Sequence, residues 1–132
     1  MNQLAASLLC LFCATTALAQ TEGMNQTTIK RTVIQRSDIS VPNREAIVAQ
    51  VELPPGATAG RHTHPGDEIG YFIEGEGELL IDGEPPRKLR AGDAYVVPAG
   101  KVHDARNAGT VTARIVGVFV VEKGQPLATP AK

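Results

Sequence analysis

The hydrophobic positions of the chain fall into short segments rich in β-branched residues, and turn-forming residues separate these segments. Runs of this length, bounded by Gly, Pro and Asp, are typical of strands. No segment has a sustained helical period of apolar positions with capping residues. The pattern therefore predicts an all-β protein, a sandwich or a barrel, with strands over 28–35, 45–53, 68–74, 78–82, 95–97 and 111–121. Asp82-Gly83 lies between two of them and predicts a hairpin.

The first nineteen residues have a different pattern from the rest. Residues 4–19 are almost all apolar or small, and they end in Ala17-Leu18-Ala19 before a polar residue. This pattern predicts a cleaved secretory signal over 1–19. The run is short for a membrane span, which needs about 20 residues, so a retained anchor or a buried helix is the weaker alternative. Export predicts a periplasmic or secreted protein.

Both cysteines of the chain, Cys10 and Cys13, lie inside the predicted signal. Their spacing is that of a redox pair or half a zinc site. However, the surrounding run is apolar, no second pair follows, and cleavage would remove both residues. We therefore expect the exported chain to depend on its core rather than on disulfides.

The remaining chain is long enough for one domain. We divide it into an N-terminal arm with the first strand (20–40), a barrel (41–122) and a mostly polar C-terminal tail (123–132). Lys and Arg number 13 and Asp and Glu number 14, a net charge of -1. A chain this close to neutral lacks the basic surface that nucleic acids or anionic membranes attract, so neither is expected as a partner.

The three histidines carry the candidate chemistry. His62 and His64 are two positions apart, which places both rings on one face of an extended chain. Glu68 follows a Pro-Gly bend, and His103 lies about forty positions further on. Three imidazoles and a carboxylate suit one divalent transition metal ion, Fe, Mn, Ni, Co or Zn, and the lack of thiolates argues against a structural zinc or an iron–sulfur cluster. A His-x-His pair alone is more often an ordinary core or surface pair.

The wider pattern of residues around these histidines is a more specific signal than the His-x-His pair alone. The chain contains Gly-x5-His-x-His-x3-Glu-x6-Gly from Gly56 to Gly75, and Gly-x5-Pro-x-Gly-x2-His-x3-Asn from Gly92 to Asn107. These two stretches resemble, position for position, both signature motifs of the cupin superfamily, in particular its small single-domain bacterial, quercetinase-like members. The glycines and the proline suit tight turns, and Asn107 suits a loop fixed by side-chain hydrogen bonds.

The resemblance implies a double-stranded β-helix, the cupin jelly-roll barrel, with a metal ion inside it. The ligands would be His62, His64, Glu68 and His103, and the barrel mouth would receive a small organic molecule or dioxygen. Alternation from Glu68 turns Gly70 and Phe72 inward, and Ala105 and Asn107 share the face of His103. Cupins commonly dimerise, sometimes by exchanging an N-terminal strand, here 28–35. A homodimer is therefore expected.

Fold alone does not determine function. The resemblance favours a metal-dependent dioxygenase acting on a small organic substrate, with Glu68 as ligand and general base. A metal-dependent lyase or decarboxylase would use the same ligands. A binding module that holds a metal or a small ligand without turnover is the alternative from another class. Further acid–base candidates, not placed by the sequence, are Tyr95, Tyr71, Glu74 and Lys101.

Overall fold

The computed structural model describes residues 29–132, so the predicted signal and the Cys10–Cys13 pair lie outside the described residues. Every regular element within 29–132 is a strand, which confirms the all-β prediction. The strands are β1 (Lys30–Asp38), β2 (Arg44–Leu53), β3 (His62–Thr63), β4 (Gly66–Glu74), β5 (Glu76–Ile81), β6 (Arg87–Arg90), β7 (Ala94–Val97), β8 (His103–Arg106), β9 (Ala113–Glu122) and β10 (Thr129–Pro130). The described residues include no helix that is long and apolar enough to cross a bilayer.

The strands form two antiparallel five-stranded sheets. Their orders are β1-β2-β9-β4-β7 and β10-β3-β8-β5-β6. Neighbours in each sheet are mostly distant in sequence, so the chain crosses repeatedly between the sheets. The core lies between them, because the main buried cluster combines Phe72 and Tyr95 of the first sheet with Leu79 and Leu89 of the second.

Burial alternates along the longest strands. In β2 the side chains of Ile47, Ala49, Val51 and Leu53 are buried while those between them are half-buried, and β9 repeats this pattern. Period-two alternation places one face of each strand in the core. The second face of β9, which includes Val118, is only half-buried although it is also apolar.

The sequence pattern missed four strands, β3, β6, β8 and β10. Each has two to four residues, and their sequences HT, RKLR, HDAR and TP show little hydrophobic alternation. They form because neighbouring strands offer backbone partners, which a pattern of side chains cannot reveal. A hairpin does form at the predicted turn, because β5 pairs with β6 across a loop that contains Asp82-Gly83, but its second strand, β6, was not among the predicted strands.

The C-terminal segment is part of the fold. Strand β10 pairs with β3, and the side chain of Leu127 packs against a second buried cluster that includes Phe119. The sequence indicated only a polar tail here, because Leu127 is an isolated apolar residue. The segment therefore supports the strand that carries His62.

Two loop residues predicted as structural have that role. Gly100 has a φ of 71°, and its N–H donates to the carbonyl of His64 over 3.0 Å, which joins the two motif loops. Asn107 is 1% exposed, and its side-chain amide donates to the carbonyls of Leu53 and Val111. These bonds hold β8 at the end of β2.

Candidate metal centre

The structure brings together the four residues that the sequence indicated as ligands. His62 lies in β3, Glu68 in β4 and His103 in β8, while His64 follows β3 directly. His62 and His103 are direct cross-strand partners. All four side chains are buried, and one potential ligand atom from each lies within 4.8 Å of those of the others. Buried charged or polar groups gathered this closely need a shared partner.

The carboxylate of Glu68 lies between two of the rings. Its Oε2 atom is 3.0 Å from His64 Nε2 and 3.1 Å from His103 Nε2. The ring centroid of His62 lies 4.8 Å from that of His64 and 4.2 Å from that of His103. The third ring therefore completes a compact group around the carboxylate.

Backbone carbonyls fix the orientation of all three rings. The Nδ1 atoms of His62, His64 and His103 lie 2.6, 2.5 and 3.0 Å from the carbonyl oxygens of Gly60, Leu127 and Lys101. A carbonyl only accepts hydrogen bonds, so each Nδ1 carries the proton, and in the neutral ring Nε2 has a free lone pair. Metal-binding histidines are held in the same way by bonds on the other ring nitrogen.

A cation is needed to balance this arrangement. With Nδ1 protonated, the Nε2 lone pairs of two neutral rings face an ionised carboxylate at about 3 Å. Among residues 29–132, His64 Nε2 also finds no well-directed hydrogen bond although it is buried and contacts Glu68. Either extra protons or a metal ion would remove this conflict. Three imidazoles and one carboxylate are a donor set that suits a divalent transition metal, so the residues fit the ion that the sequence predicted.

Tyr95 of β7 holds the other oxygen of the carboxylate. Its hydroxyl donates to Glu68 Oε1 over 2.8 Å, and both side chains are buried. Burial acts to raise the pKa of Glu68, but His103 and His64 donate to the carboxylate when they are protonated on both nitrogens, and these bonds and the one from Tyr95 outweigh burial and hold that pKa well below its usual range. Burial, and then the Glu68 charge, raise the pKa of Tyr95 well above its usual value. Tyr95 therefore stays a phenol that orients an ionised Glu68.

The pKa values of His62 and His103 shift in opposite directions. Burial lowers the pKa of His62 more than its bond to Gly60 raises it, so His62 favours the neutral form that a metal requires. Burial also acts against the charged form of His103, but the bonds to Glu68 and Lys101 raise its pKa overall. The Glu68 carboxylate is therefore the group that attracts positive charge in the centre.

A small cavity of about 30 Å³ opens beside the ligands. Phe72 is buried as predicted, and Ala105 lines the cavity, while Tyr71 and Glu74 are exposed away from it. A larger open groove of about 590 Å³ lies over the β5–β6 hairpin, but none of the four candidate ligands lines it. The small cavity is therefore the space available to a ligand at the centre.

The sequence reasoning missed Arg31, which also lines this cavity. Arg31 lies in β1, which the sequence assigned to an N-terminal arm and first strand. A signal was present, because Arg31 stands between Ile29 and Val33 in a period-two pattern, where an inward position is expected. Tyr95 was one of the acid–base candidates that the sequence did not place, and its hydrogen bond to Glu68 locates it at the centre.

Comparison with known proteins gives a family match. The sequence model described as "Cupin domain" matches residues 49–125, a range that includes all four candidate ligands. A solved protein from Klebsiella pneumoniae, described as having a double-stranded beta-helix domain, superposes with a TM-score of 0.64 at 26% identity. The superposition covers 78% of this chain and 86% of that one. The predicted double-stranded β-helix is thus confirmed.

Two curated relatives have described activities. Dimethylsulfoniopropionate lyase DddQ of Ruegeria pomeroyi is 41% identical over 56 residues, which are 42% of this chain and 28% of the lyase. The oxalate-binding protein of Thermotoga maritima is 31% identical over 80 residues, 60% of this chain and 65% of that protein. The similarity thus covers less than two thirds of either relative.

Proposed function

Because the chain belongs to the cupin family, we propose that it is a small exported cupin that holds one divalent transition metal ion and uses it to act on a small organic substrate. One observation carries the proposal: three imidazoles, each fixed by a carbonyl on Nδ1, gather with one carboxylate so that all four potential ligand atoms lie within 4.8 Å of one another, with Nε2 of His64 and His103 about 3 Å from Glu68. His62, His64, Glu68 and His103 would hold the ion.

The protein groups would prepare the centre before a substrate arrives. The carbonyl bonds fix the rings, and Tyr95 fixes Glu68, so little reorganisation is needed when a ligand binds. A divalent ion at this position supplies a Lewis acid for an oxygen of the substrate. Glu68 would accept a proton from the substrate through Oε2, while Tyr95 keeps Oε1 in place.

Two reaction classes are proposed for this centre. The first is the dioxygenase that the quercetinase-like motifs favour. The second is a lyase acting on a small acid, which is supported by the similarity to the lyase DddQ and by a cavity of only about 30 Å³. Ligand binding without turnover is the remaining alternative, and the similarity to an oxalate-binding protein supports it.

Metal content is the first test. Purified protein, folded in the compartment to which it is exported, is analysed by elemental mass spectrometry for Fe, Mn, Ni, Co and Zn. We expect about one ion per chain in the wild type and loss of most of it in His62→Ala and His103→Ala. Glu68→Gln should also lose metal, whereas Glu74→Gln, an exposed position on the same strand, should keep it. Wild-type metal content in both histidine variants would refute the site.

The reaction class is tested with the metal-loaded protein. Oxygen uptake is recorded with flavonols, diketones and catechols, and product release from a panel of small acids is followed by proton NMR. Uptake that Glu68→Gln abolishes supports the dioxygenase, while product release without uptake supports the lyase. Tight binding of a small molecule with neither oxygen uptake nor product release would support a binding module without turnover.

We also propose a homodimer. On the outer face of the first sheet, Ile69 and Tyr71 of β4 and Val96 of β7 are each about half exposed, and Val118 lies beside them. A neighbouring group of exposed apolar side chains is typical of an interface. Light scattering at micromolar concentration should give twice the chain mass, and Val96→Asp should shift it toward a monomer. A monomeric wild type would contradict this proposal.

Export is proposed from residues 1–19. Expression of the full chain in a bacterial host, followed by fractionation and N-terminal sequencing, should recover protein that begins at Gln20 outside the cytoplasm. Recovery of uncleaved protein in the membrane fraction would instead support a retained anchor.

A further inference from the structure

Arg31 brings a positive charge into the wall of the cavity beside the candidate metal centre. It pairs across the sheet with Val51, whose side chain is buried, so strand alternation turns Arg31 inward. Its neighbours Lys30 and Thr32 are exposed. Arg31 shares the cavity wall with His62 and Glu68. The inward position of this arginine follows from the register of β1 on β2.

The Arg31 side chain has no charge partner within residues 29–132. Its Nε atom is buried without a hydrogen bond, and none of the ion pairs there involves it. Its guanidinium carbon lies 5.6 Å from the ring centroid of Phe119, a contact that satisfies none of its donors. The buried carboxylate of Glu68 is already engaged by Tyr95 and two histidines. Arg31 is half-buried, and leaving a buried donor such as its Nε without a partner is costly unless a ligand completes the pairing.

The charge of the centre indicates the kind of ligand. The three imidazoles are neutral as ligands, so a divalent ion, one ionised Glu68 and Arg31 leave the buried site with an excess of positive charge. An anion would reduce this excess. A carboxylate suits both positions, because its oxygens bind a transition metal and also match the planar donor fork of a guanidinium.

The size of the cavity sets a second limit. A water molecule needs about 10–15 Å³ of such volume. A cavity of about 30 Å³ therefore admits a group of a few non-hydrogen atoms at the centre, and a larger molecule would have to extend out of it toward solvent. Small anions meet both conditions of charge and size.

From these observations we propose that the centre takes a small organic carboxylate and that the Arg31 guanidinium pairs with its charge. Arg31 is then a specificity-determining residue of this site. The inference rests on the proposed function, because the metal ion is the second group that would hold the carboxylate.

The test compares a small acid with its neutral amide. Manganese-loaded and metal-free protein are each titrated by calorimetry with propionate and with propionamide. The variants are Arg31→Gln, Arg31→Lys and Lys30→Gln, the last removing one positive charge from an exposed position next in sequence. Metal content and thermal unfolding are measured on every variant.

We expect metal-loaded wild type to bind propionate at least tenfold more tightly than propionamide. Arg31→Gln should weaken propionate binding at least tenfold without loss of metal. Arg31→Lys should recover part of the affinity, because the charge remains while the fork is lost. Lys30→Gln should match the wild type. Equal affinities for propionate in wild type and Arg31→Gln, or no preference for the acid over the amide, would overturn the inference.

Failure of the proposed function gives a different result. If the wild type retains no metal, the metal-free titration still decides the role of Arg31, because its charge does not depend on the ion. Propionate binding that Arg31→Gln abolishes would then support Arg31 alone. Absence of any acid-selective binding in both forms would overturn the role of Arg31.

Discussion

Gly70 is the position where the smallest change should disturb the centre most. Gly70 of β4 is the cross-strand partner of Tyr95 in β7. A Cβ atom at position 70 would lie 2.1 Å from Tyr95 Cζ and 2.5 Å from its hydroxyl oxygen. Carbon atoms pack at about 3.5–4.0 Å, so the ring would have to move by roughly 1.5 Å. Glycine is therefore what lets the Tyr95 hydroxyl reach Glu68.

The expected cost of Gly70→Ala comes from two effects. Overpacking a core costs about 1–3 kcal/mol. The shift also breaks the hydrogen bond from Tyr95 to the buried Glu68 carboxylate, and hydrogen bonds to charged groups contribute about 1.5–3 kcal/mol. Alanine recovers about 0.5–1 kcal/mol, since it loses less backbone entropy in a strand. We expect Gly70→Ala to lower the free energy of unfolding by about 2–5 kcal/mol.

Urea denaturation of the metal-free protein measures this cost through the transition midpoint. The control is Gly77→Ala, because a Cβ at position 77 has its nearest atoms at 3.3 Å; its effect should stay below about 1 kcal/mol. Gly70→Ala should cost less in a Tyr95→Leu background, with a coupling of about 1–3 kcal/mol. A wild-type midpoint in Gly70→Ala, or a cost that Tyr95→Leu does not change, would refute the argument.

Three further changes test the support of the centre. Tyr95→Phe should cost about 1.5–3 kcal/mol in urea denaturation, because Glu68 loses a bond from a buried hydroxyl; an unchanged midpoint would contradict this. Asn107→Ala removes three side-chain hydrogen bonds at a buried position and should cost about 2–5 kcal/mol by the same assay, with a smaller cost counting against a structural role. Deletion of 125–132 takes away the carbonyl that orients His64, so metal affinity, measured by competition with a chelator, should fall about ten- to a hundredfold, and wild-type affinity would show that the bond is dispensable.

The sequence predicted the parts of this protein that depend on side-chain pattern. Alternation and turn residues indicated the long strands, and the spacing of His62, His64, Glu68 and His103 indicated a shared site that the fold brings together. These features are local, or belong to two motifs with fixed loops. They do not require knowledge of which strands become neighbours.

The features that the sequence did not predict depend on pairing between distant segments. Strands β3, β8 and β10 are too short to show a period, and they form where partners are available. The role of Leu127 follows from its carbonyl, which any residue carries. Arg31 points inward only because β1 pairs with β2 in one register, and a slip of one residue would turn it outward.

The candidate metal ligands and Arg31 occupy different positions in the sheets, and this difference has a consequence for access to the cavity. His62, Glu68 and His103 lie on β3, β4 and β8, each of which pairs with strands on both sides. Arg31 lies on β1, which within residues 29–132 pairs only with β2. Edge elements open locally at lower free energy than interior ones. Detachment of β1 would uncover the cavity while the rings and the carboxylate stay in place. Local opening of this strand would therefore widen the access of a small molecule to the centre without global unfolding of the barrel.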